Sequence, residues 1–449
     1  MTPGARVQAC IELLAQIAAE AQDSSTVIDA YFRTRRYAGS GDRRAVTHRV
    51  YENLRHRARL DWWIQRTGVA LDSSPRTRII AQMAVYERSS PDELARLFSG
   101  TRHCPPTLNN REQELAESLY GRPPMHIDMP DWVRLEYPSW MGPSLRTIFG
   151  DRLEIELQAL SQTAPVDLRV NTLKSTREEV QAMLADDGVE VEPTDLSPLG
   201  LRLTGRSRLG GTMAYKRGLF DVQDEGSQLI ALLCGVRPGM TVVDYCAGAG
   251  GKTLALAAAL GDDASSGGGG GDRRPRGRLI ACDVSRYRMD RMAPRLKRAG
   301  ATMVRRQVVT ARDDSWVKAN HEMADRVLAD VPCTGTGAWR RNLDAKWRFQ
   351  PDDLDHLIEM QRQIVEQAAS LVAPGGRLIY ATCSLLREEN EEQLDWIAEN
   401  LPGFRVIPVE NVWAETIGGA QPGQGRYMRL SPASTGTDGF FCAVLEKSP

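Results

Sequence analysis

The feature that most constrains this chain is an apolar run that ends in an acid, turns through glycines and enters a helix. Val242 and Val243 lead to Asp244, three glycines follow by position 251, and Leu254–Ala259 has a helix-forming composition. A strand, a glycine-rich turn and a helix in this order open a doubly wound α/β sheet. Glycine is required where the turn is tight and a ligand lies against bare backbone. We therefore expect a nucleotide-like ligand at this turn, with a glycine-rich loop that binds nothing as the alternative.

Two well-known glycine motifs do not fit this stretch. Gly251-Lys252-Thr253 resembles the end of a P-loop, but Cys246 stands where the first glycine of that motif belongs. The dinucleotide-binding pattern GxGxxG fails as well, because Thr253 stands where its last glycine is required. The turn is therefore expected to hold its ligand in another way.

The composition sets the class of protein. At 449 residues the chain is long enough for about two or three domains, and its composition is that of a soluble globular protein. Its eight cysteines are dispersed, without a Cys-x-x-Cys pair or a His and Cys cluster at metal-binding spacing. Dispersed cysteines suit a reducing compartment, and no signal peptide or long apolar span is visible. We expect a cytoplasmic protein with no metal and no membrane association.

Three regions of the chain differ in their patterns. Residues 1–126 show helical spacing of apolar residues, and residues 127–215 mix short alternating segments with one helix, as in a small α+β module. Strands and helices alternate from residue 216 to residue 449, which is typical of a parallel sheet. Within that region residues 262–277, with five consecutive glycines, are expected to form a flexible insertion. The expected strands lie near residues 241–245, 278–283, 303–308, 325–330, 376–381 and 439–445, with helices between them that include 353–372 and 388–400.

An arginine-rich stretch lies in the amino-terminal region. Residues 33–66 carry ten arginines against three acidic residues. The planar guanidinium fork suits phosphate groups, so this stretch favours docking to RNA. Docking to a protein and an ordinary solvated helical face are the alternatives.

Acids and thiols follow three of the expected strands. Asp283 ends the second strand, Asp330 and Cys333 follow the fourth, and Cys383 follows the fifth. Ligands of open α/β sheets bind at the carboxyl ends of the strands, and an acid after the second strand hydrogen-bonds ribose hydroxyls there. Either cysteine alone is more typical of a buried structural thiol. Two thiols at neighbouring strand ends, beside a ligand-binding acid, favour a catalytic role.

A pair of thiols at such a site suits chemistry on a pyrimidine ring. Carbon 5 of a pyrimidine is a poor nucleophile, but a thiolate that adds to carbon 6 makes carbon 5 enamine-like and able to accept a methyl group. The base must then lose its carbon-5 proton and expel the thiolate. An acid that hydrogen-bonds the amide edge of the base assists the attack, and Asp330 lies three residues before Cys333.

Four motifs in a fixed order extend this argument. They are Asp244–Thr253, Asp283 with Ser285 and Arg288, Ala329–Gly337, and Ala381–Ser384 followed by Glu388–Asn390. Over about residues 130–449 this set resembles the Sun/Fmu group of RNA cytosine-5 methyltransferases, the RsmB/NOP family. Two further segments match the same family, Gln223–Gln228 and Asp438–Phe441.

The resemblance implies a Rossmann-like class I fold with S-adenosylmethionine as the methyl donor. It implies that Cys383 attacks carbon 6 of a cytosine, that Cys333 assists release of the methylated RNA, and that Asp330 lines the site. Asp283 would hold the ribose of the donor. The donor-binding residues that it implies are Cys246, Ala247, Gly248, Ala249, Gly250, Gly251, Lys252, Asp283, Arg288, Thr310 and Asp330.

The chain departs from the family pattern at several positions. Ala249 and Leu343 stand where the family often has proline. After the third strand an acid usually meets the adenine of the donor, but Thr310 occupies that place here, with Asp313 and Asp314 just beyond.

The amino-terminal region resembles the NusB-like helical domain of the family members that modify rRNA. Arg35–Tyr37 and Asp42–Arg44 carry that likeness. It implies RNA docking and favours rRNA, most of all 16S rRNA, over tRNA as the substrate. We expect a monomer.

Three other functions are compatible with parts of the sequence. A tRNA cytosine-5 methyltransferase would need the same motifs, and a ribosome-assembly factor could keep the fold and RNA binding without catalysis. A DNA cytosine-5 methyltransferase uses the thiol of its Pro-Cys motif as nucleophile, with a Glu-Asn-Val motif after it. Glu410–Val412 supplies that sequence here, but it follows the fifth strand and its helix, too late to lie beside the base.

Overall fold

The computed structural model describes residues 1–20, 23–205, 207–261, 277–310, 314–419, 421–422 and 425–449. These residues form two compact units: one comprises Met1–Gln162 and Trp339–Phe349, the other Thr163–Ala338 and Gln350–Pro449. Except for Gly277, the predicted insertion at 262–277 lies outside the described residues. None of the described helices has both the length and the apolar character that crossing a bilayer requires.

The first unit is helical, as predicted for residues 1–126, and its helices continue to Leu160. Its core is built from side chains such as Leu13, Val50, Ile64 and Ile80, each fully buried. The likeness to NusB stays a prediction. The helices are α1 (Pro3–Ala19), α2 (Ser24–Thr34), α3 (Ser40–Arg55), α4 (Arg57–Arg66), α5 (Pro75–Val85), α6 (Pro91–Leu97), α7 (Asn110–Leu119), α8 (Asp131–Arg134), α9 (Gly142–Phe149) and α10 (Leu153–Leu160).

A distant piece of the chain, Trp339–Phe349, also belongs to the helical unit. Leu343 packs in the same core as Val50, and Trp339 is buried as well. Lys346 is buried and donates a hydrogen bond from Nζ to the carbonyl oxygen of Glu136 at 2.9 Å. This eleven-residue piece therefore contributes buried side chains to the interior of the helical unit.

A small antiparallel sheet with the strand order β2-β3-β1-β4 begins the second unit. Helix α11 starts with a capping box, in which Thr176 accepts from the backbone N–H of Glu179. The predicted α+β character is confirmed, and the limits of 127–215 stay a prediction. Residues before 163 cluster with the helices, and the sheet continues to Val222, because β4 pairs with β1 and buries Phe220 in the module's core. The elements are β1 (Asp167–Val170), α11 (Arg177–Asp186), β2 (Val191–Pro193), β3 (Gly200–Leu203), α12 (Met213–Arg217) and β4 (Phe220–Val222).

The larger sheet has the strand order β10-β12-β9-β8-β5-β6-β7 in the described part of the chain, and β11 pairs with β12. Strands β7, β6, β5, β8 and β9 run parallel, whereas β12 is antiparallel to β9. The predicted doubly wound α/β architecture is confirmed. Its strands are β5 (Thr241–Asp244), β6 (Arg278–Asp283), β7 (Val304–Val308), β8 (Ala324–Asp330), β9 (Val372–Thr382), β10 (Phe404–Ile407), β11 (Met428–Leu430) and β12 (Phe440–Lys447).

Helices cover both faces of this sheet because its central strands are apolar on both sides. Val242 packs on one face with helix α14, and Val243 packs on the other face with helix α17, as the period-2 geometry of a strand requires. The helices of this part are α13 (Glu225–Leu233), α14 (Gly251–Leu260), α15 (Arg286–Ala299), α16 (Ser315–Ala319), α17 (Pro351–Ser370), α18 (Glu391–Asn400), α19 (Val409–Thr416) and α20 (Pro432–Thr435).

Candidate active site

The glycine-rich turn between β5 and α14 is fastened to the acid at the end of β6. The backbone N–H of Gly248 donates to Asp283 Oδ2 at 2.9 Å, and the N–H of Ser285 donates to Asp283 Oδ1 at 2.8 Å. Arg288 Nη1 lies 3.4 Å from the same carboxylate. Gly248 and Gly250 have positive φ angles of 55° and 85°, a conformation that favours glycine. The carboxylate of Asp283 therefore orders the turn.

A cavity of about 580 Å³ opens beside this turn. It lies at the carboxyl ends of β5, β6, β7 and β8, because residues directly after each of these strands line it. A cavity of this size and mixed polarity is typical of a site for a small organic ligand. Its lining consists of Tyr245, Cys246, Asp283, Val284, Arg288, Val309, Thr310, Asp330, Pro332, His356, Glu359, Met360, Gln363, Ile364 and Gln367.

An ion pair joins the cavity to the start of α14. Lys252 Nζ lies 2.7 Å from Asp330 Oδ2, and the ammonium also lies 5.6 Å from the centre of the Phe440 ring. Burial is the largest single influence and lowers the pKa of Lys252, but the charge and hydrogen bond of Asp330, with smaller contributions from Cys383 and Asp244, together raise the pKa overall. Lys252 therefore stays positively charged and keeps Asp330 in a fixed position at the edge of the cavity.

The two cysteines predicted to be catalytic lie side by side. Cys333 Sγ and Cys383 Sγ are 3.4 Å apart, and both thiols are free. The hydrogen bond with Cys383 and burial together raise the pKa of Cys333 well above its usual range. Burial also raises the pKa of Cys246 well above its usual range. Both Cys333 and Cys246 therefore retain their protons near neutral pH.

The buried carboxylate of Glu389 holds these two strand exits together. Its Oε1 accepts from the backbone N–H of Thr334 at 2.8 Å and from Gln361 Nε2 at 3.0 Å, and its Oε2 accepts from the Ser384 hydroxyl. Thr334 follows Cys333 in the chain, and Ser384 follows Cys383. Burial raises the pKa of Glu389 even though these donors act in the opposite direction. The distance between the two thiols thus depends on a residue that touches neither.

Asp314, an acid close to Thr310 in the chain, has a structural role. The carboxylate of Asp314 accepts from the Thr310 N–H at 2.6 Å and caps α16 by accepting from the N–H of Trp316 at 2.7 Å. Asp314 is buried in this turn and does not line the cavity, whereas Thr310 does. Asp313 lies outside the described residues.

Comparisons with known proteins connect this geometry to a family. Residues 231–446 match the model described as 16S rRNA methyltransferase RsmB/F, and residues 137–209 match the ferredoxin-like domain of RsmF/B-like methyltransferases. The ribosomal RNA small subunit methyltransferase B of Vibrio cholerae is 31% identical over 320 residues, which cover 71% of this chain and 67% of that protein. The chain belongs to the RsmB/F methyltransferase family.

Two further proteins resemble this RsmB/F family member over nearly its whole length. The probable ribosomal RNA small subunit methyltransferase B of Synechocystis is 28% identical over 91% of this chain and 92% of that protein. The crystal structure of PH0851 is 28% identical and covers 100% of this chain and 99% of that chain, with a TM-score of 0.77. The ferredoxin-like module and the methyltransferase sheet described above are therefore those of the family.

Enzymes of the RsmB/F family methylate RNA with S-adenosylmethionine as the donor. The cavity fits such a ligand: Asp283 offers a carboxylate to ribose hydroxyls, and Val284, Val309 and Ile364 offer apolar surface to a base. Among the described residues no group of three or more His, Cys, Asp or Glu side chains is placed to hold a metal ion.

The structure divides the predicted donor-binding residues into two groups. Those that line the cavity are Cys246, Asp283, Arg288, Thr310 and Asp330, whereas Ala247, Gly248, Ala249, Gly250, Gly251 and Lys252 form the turn and helix start behind it. Their individual roles in donor binding stay predictions.

Sequence reasoning missed the wall that helix α17 contributes to the cavity. The helix was predicted near its observed position, but the face toward the ligand was not identified. Polar residues recur on that face at intervals of three or four, as they do on the solvent-facing side of any helix packed on a sheet, so the pattern did not distinguish a ligand-facing wall. The α17 residues that line the cavity are His356, Glu359, Met360, Gln363, Ile364 and Gln367.

Proposed function

We propose that this enzyme transfers the methyl group of S-adenosylmethionine to carbon 5 of a cytosine in rRNA through a covalent bond between Cys383 and carbon 6. The observation that carries the proposal is the pair of thiols 3.4 Å apart at the ends of β8 and β9, beside the cavity. A methyltransferase acting on a nucleophilic oxygen or nitrogen needs no thiol at this place, whereas carbon 5 must be activated.

We assign different roles to the two thiols from the raised pKa of Cys333. Because its pKa is raised, Cys333 keeps its proton and can donate it to Cys383 Sγ, in a contact where either sulfur can be the donor. In this proposal Cys383 is the nucleophile, and it attacks as the thiolate because a neutral thiol is a poor nucleophile. The raised pKa of Cys333 favours the RNA type of mechanism over the DNA type, in which the Pro-Cys thiol attacks.

The proposed reaction has three steps, which are attack on carbon 6, methyl transfer to carbon 5 and release of the methylated base. The Cys383 thiolate adds to carbon 6, and carbon 5, now enamine-like, takes the methyl group as the methyl–sulfur bond of the donor breaks and the donor leaves as a neutral thioether. Once Cys383 is bonded to carbon, its sulfur carries no negative charge that would hold the proton on Cys333. Cys333 then loses its proton to solvent and takes the proton of carbon 5, and the Cys383–carbon bond breaks to release the methylated base.

Asp330 and Lys252 contribute both to the cavity and to the site of the paired thiols. Asp330 lines the cavity and lies three residues before Cys333, where a carboxylate can hydrogen-bond the amide edge of the base. The Lys252 ammonium holds Asp330 at 2.7 Å and stabilises negative charge on Cys383 nearby. A protein that used the fold only to bind RNA would need neither this ion pair nor the paired thiols.

The decisive experiment traps the intermediate. Cys333→Ala is expressed in the native host, the lysate is denatured, and RNA that stays bonded to the protein is sequenced. We expect an adduct that survives denaturation, because attack by Cys383 continues while release fails. The matched control is the double variant with Cys383→Ala as well, which should carry no RNA.

The sequence of the trapped RNA tests the substrate. The names of the relatives from Vibrio cholerae and Synechocystis support small-subunit rRNA, so we expect 16S rRNA. Recovery of tRNA would keep the mechanism and refute the substrate. If no adduct forms and Cys383→Ala still methylates RNA, the thiol roles are wrong, and loss of activity in Cys333→Ala alone would indicate the DNA-type arrangement.

A further inference from the structure

The donor-binding turn is held from behind by two arginines. Arg295 Nη1 donates to the carbonyl oxygen of Ala249 at 2.6 Å, and Arg169 Nη1 donates to the carbonyl oxygen of Gly251 at 2.7 Å. Neither side chain lines the cavity. Both arginines therefore bond the backbone of the turn without lining the cavity.

These arginines are anchored in the small four-stranded module. Arg169 lies on β1, is only 3% exposed, and also donates to Gln223. Arg295 lies on α15, and its other nitrogen donates to Asp221 on β4 at 2.7 Å. Arg298, one helical turn further along α15, donates to the other oxygen of Asp221 at 3.0 Å. Arg169 and Arg295 together form a clamp, which connects the turn to strands β1 and β4 of the module.

The turn needs such support because its sequence gives it little stiffness. Glycines have the largest conformational freedom to lose on ordering, and three of them lie between positions 248 and 251. A charged donor on each of two carbonyls, the buried Arg169 and the partly buried Arg295, fixes the peptide planes before the ligand arrives, and ordering before binding raises affinity. On the ligand side, the same ordering keeps the Gly248 N–H on Asp283.

We propose that Arg169 and Arg295 are positioning residues that preorganise the donor-binding turn, so that the ferredoxin-like module sets the affinity of the enzyme for S-adenosylmethionine in addition to any contact it makes with RNA. The proposal depends on the cavity being the donor site. It does not depend on which base is methylated or on the thiol mechanism.

Two substitutions on the same face of α15 form a matched test. Arg295→Met removes the bond to the Ala249 carbonyl and one bond to Asp221, whereas Arg298→Met removes a bond to Asp221 and leaves the turn untouched. For the full chain we expect the Kd of S-adenosylmethionine, measured by calorimetry, to rise about tenfold in Arg295→Met and less than about twofold in Arg298→Met. Arg295→Lys, which keeps one charged donor, should recover part of the affinity.

Steady-state kinetics distinguish a positioning role of Arg295 from a direct role in catalysis or in RNA binding. In Arg295→Met the KM for the donor should rise while kcat at saturating donor changes less. An equal loss of donor affinity in Arg295→Met and Arg298→Met would overturn the proposal, since damage to the module would then explain both. A raised KM for RNA with an unchanged Kd for the donor would overturn it as well.

A second site guards against a variant that fails to fold. Arg169→Lys keeps a positive charge in the buried site, but the lysine ammonium lies nearer the backbone than the Nη1 atom that donates to both Gln223 and Gly251, and we expect a raised Kd for the donor here too. Asp283→Asn tests whether the cavity is the donor site, separately from whether the two arginines position the turn. If Asp283→Asn leaves donor binding intact, the cavity assignment fails; if it weakens binding but Arg295→Met and Arg169→Lys do not, only the clamp fails.

Discussion

At the scale of single residues, Asp283 does two tasks with one carboxylate. It accepts backbone N–H bonds from Gly248 and Ser285 while it lines the cavity. Asp283→Asn removes the charge, and hydrogen bonds to charged groups contribute about 1.5–3 kcal/mol, so the Kd of the donor should rise at least tenfold. Calorimetry measures this. Asp290→Asn, on the exposed side of α15, is the control, and an unchanged Kd in Asp283→Asn would contradict the predicted ribose contact.

Asp244 gives the fold a pH dependence of known sign. It is 1% exposed, its Oδ2 accepts from the Thr253 hydroxyl at 2.6 Å, and no described residue donates to its Oδ1. Burial raises its pKa from 3.8 to about 7. Because the folded state holds the proton more tightly than the unfolded state, the stability that Asp244 contributes is present below pH 3.8 and is lost as the pH rises toward 7.

The isosteric amide tests this dependence. Between pH 5 and pH 7 the wild-type free energy of unfolding should fall relative to that of Asp244→Asn, by up to about 1.4 kcal/mol per pH unit for one proton. Urea unfolding followed by circular dichroism at several pH values measures the difference. Parallel curves for the two proteins would show that Asp244 is ionised in the folded state across this range.

At the scale of elements, three strand ends are joined by backbone bonds around two glycines. The N–H of Gly337 donates to the carbonyl of Cys383 at 2.9 Å, and the N–H of Gly439 donates to the carbonyl of Gly337 at 2.9 Å. A Cβ added at Gly337 would lie 2.0 Å from the carbonyl oxygen of Gly439. The loop after β8 and the segment before β12 therefore keep their spacing only if position 337 has no side chain, and a shift of Gly337 would also strain its bond to the loop after β9.

Gly337→Ala should separate these loops and with them the two thiols. We expect the variant to lose about 1–3 kcal/mol of stability through overpacking and to lose most of its methyl transfer. Thermal unfolding and a methylation assay measure the two effects. Gly403→Ala, where an added Cβ meets nothing within 4 Å, is the control and should behave as wild type. Full activity in Gly337→Ala would show that the thiol spacing tolerates movement of these loops.

The sequence predicted those site residues whose position follows from the end of a single strand. Asp283 and the paired thiols Cys333 and Cys383 each follow an apolar run, and parallel topology brings such ends to one edge. Arg169 and Arg295 could not be found in this way, because their partners are carbonyl groups that any residue carries. The face of α17 was hidden for a related reason: a polar stripe on a helix normally indicates solvent.

At the scale of the whole molecule, the helical unit includes a piece of chain from between two elements of the catalytic sheet. Leu343 is 3% exposed within the core of that unit. Leu343→Ala should therefore destabilise the helical unit by about 2–5 kcal/mol, while donor binding persists because the cavity is lined from the other unit. Proteolysis of the helical region and calorimetry with the donor measure these separately. Asn342→Ala, at an exposed neighbour, is the control; unaltered proteolysis in Leu343→Ala would contradict the packing.

The path of the chain also limits how this protein can have been assembled from simpler genes. The chain passes from one unit to the other after Gln162, after Ala338 and after Phe349. If the helical domain had been acquired by fusion at the amino terminus, the fusion would have supplied Met1–Gln162 alone. It would have lacked the strip Trp339–Phe349, which contributes buried side chains to that domain. Recombination that exchanges residues 1–162 between relatives would have to exchange that strip too, so the two stretches are expected to be inherited together.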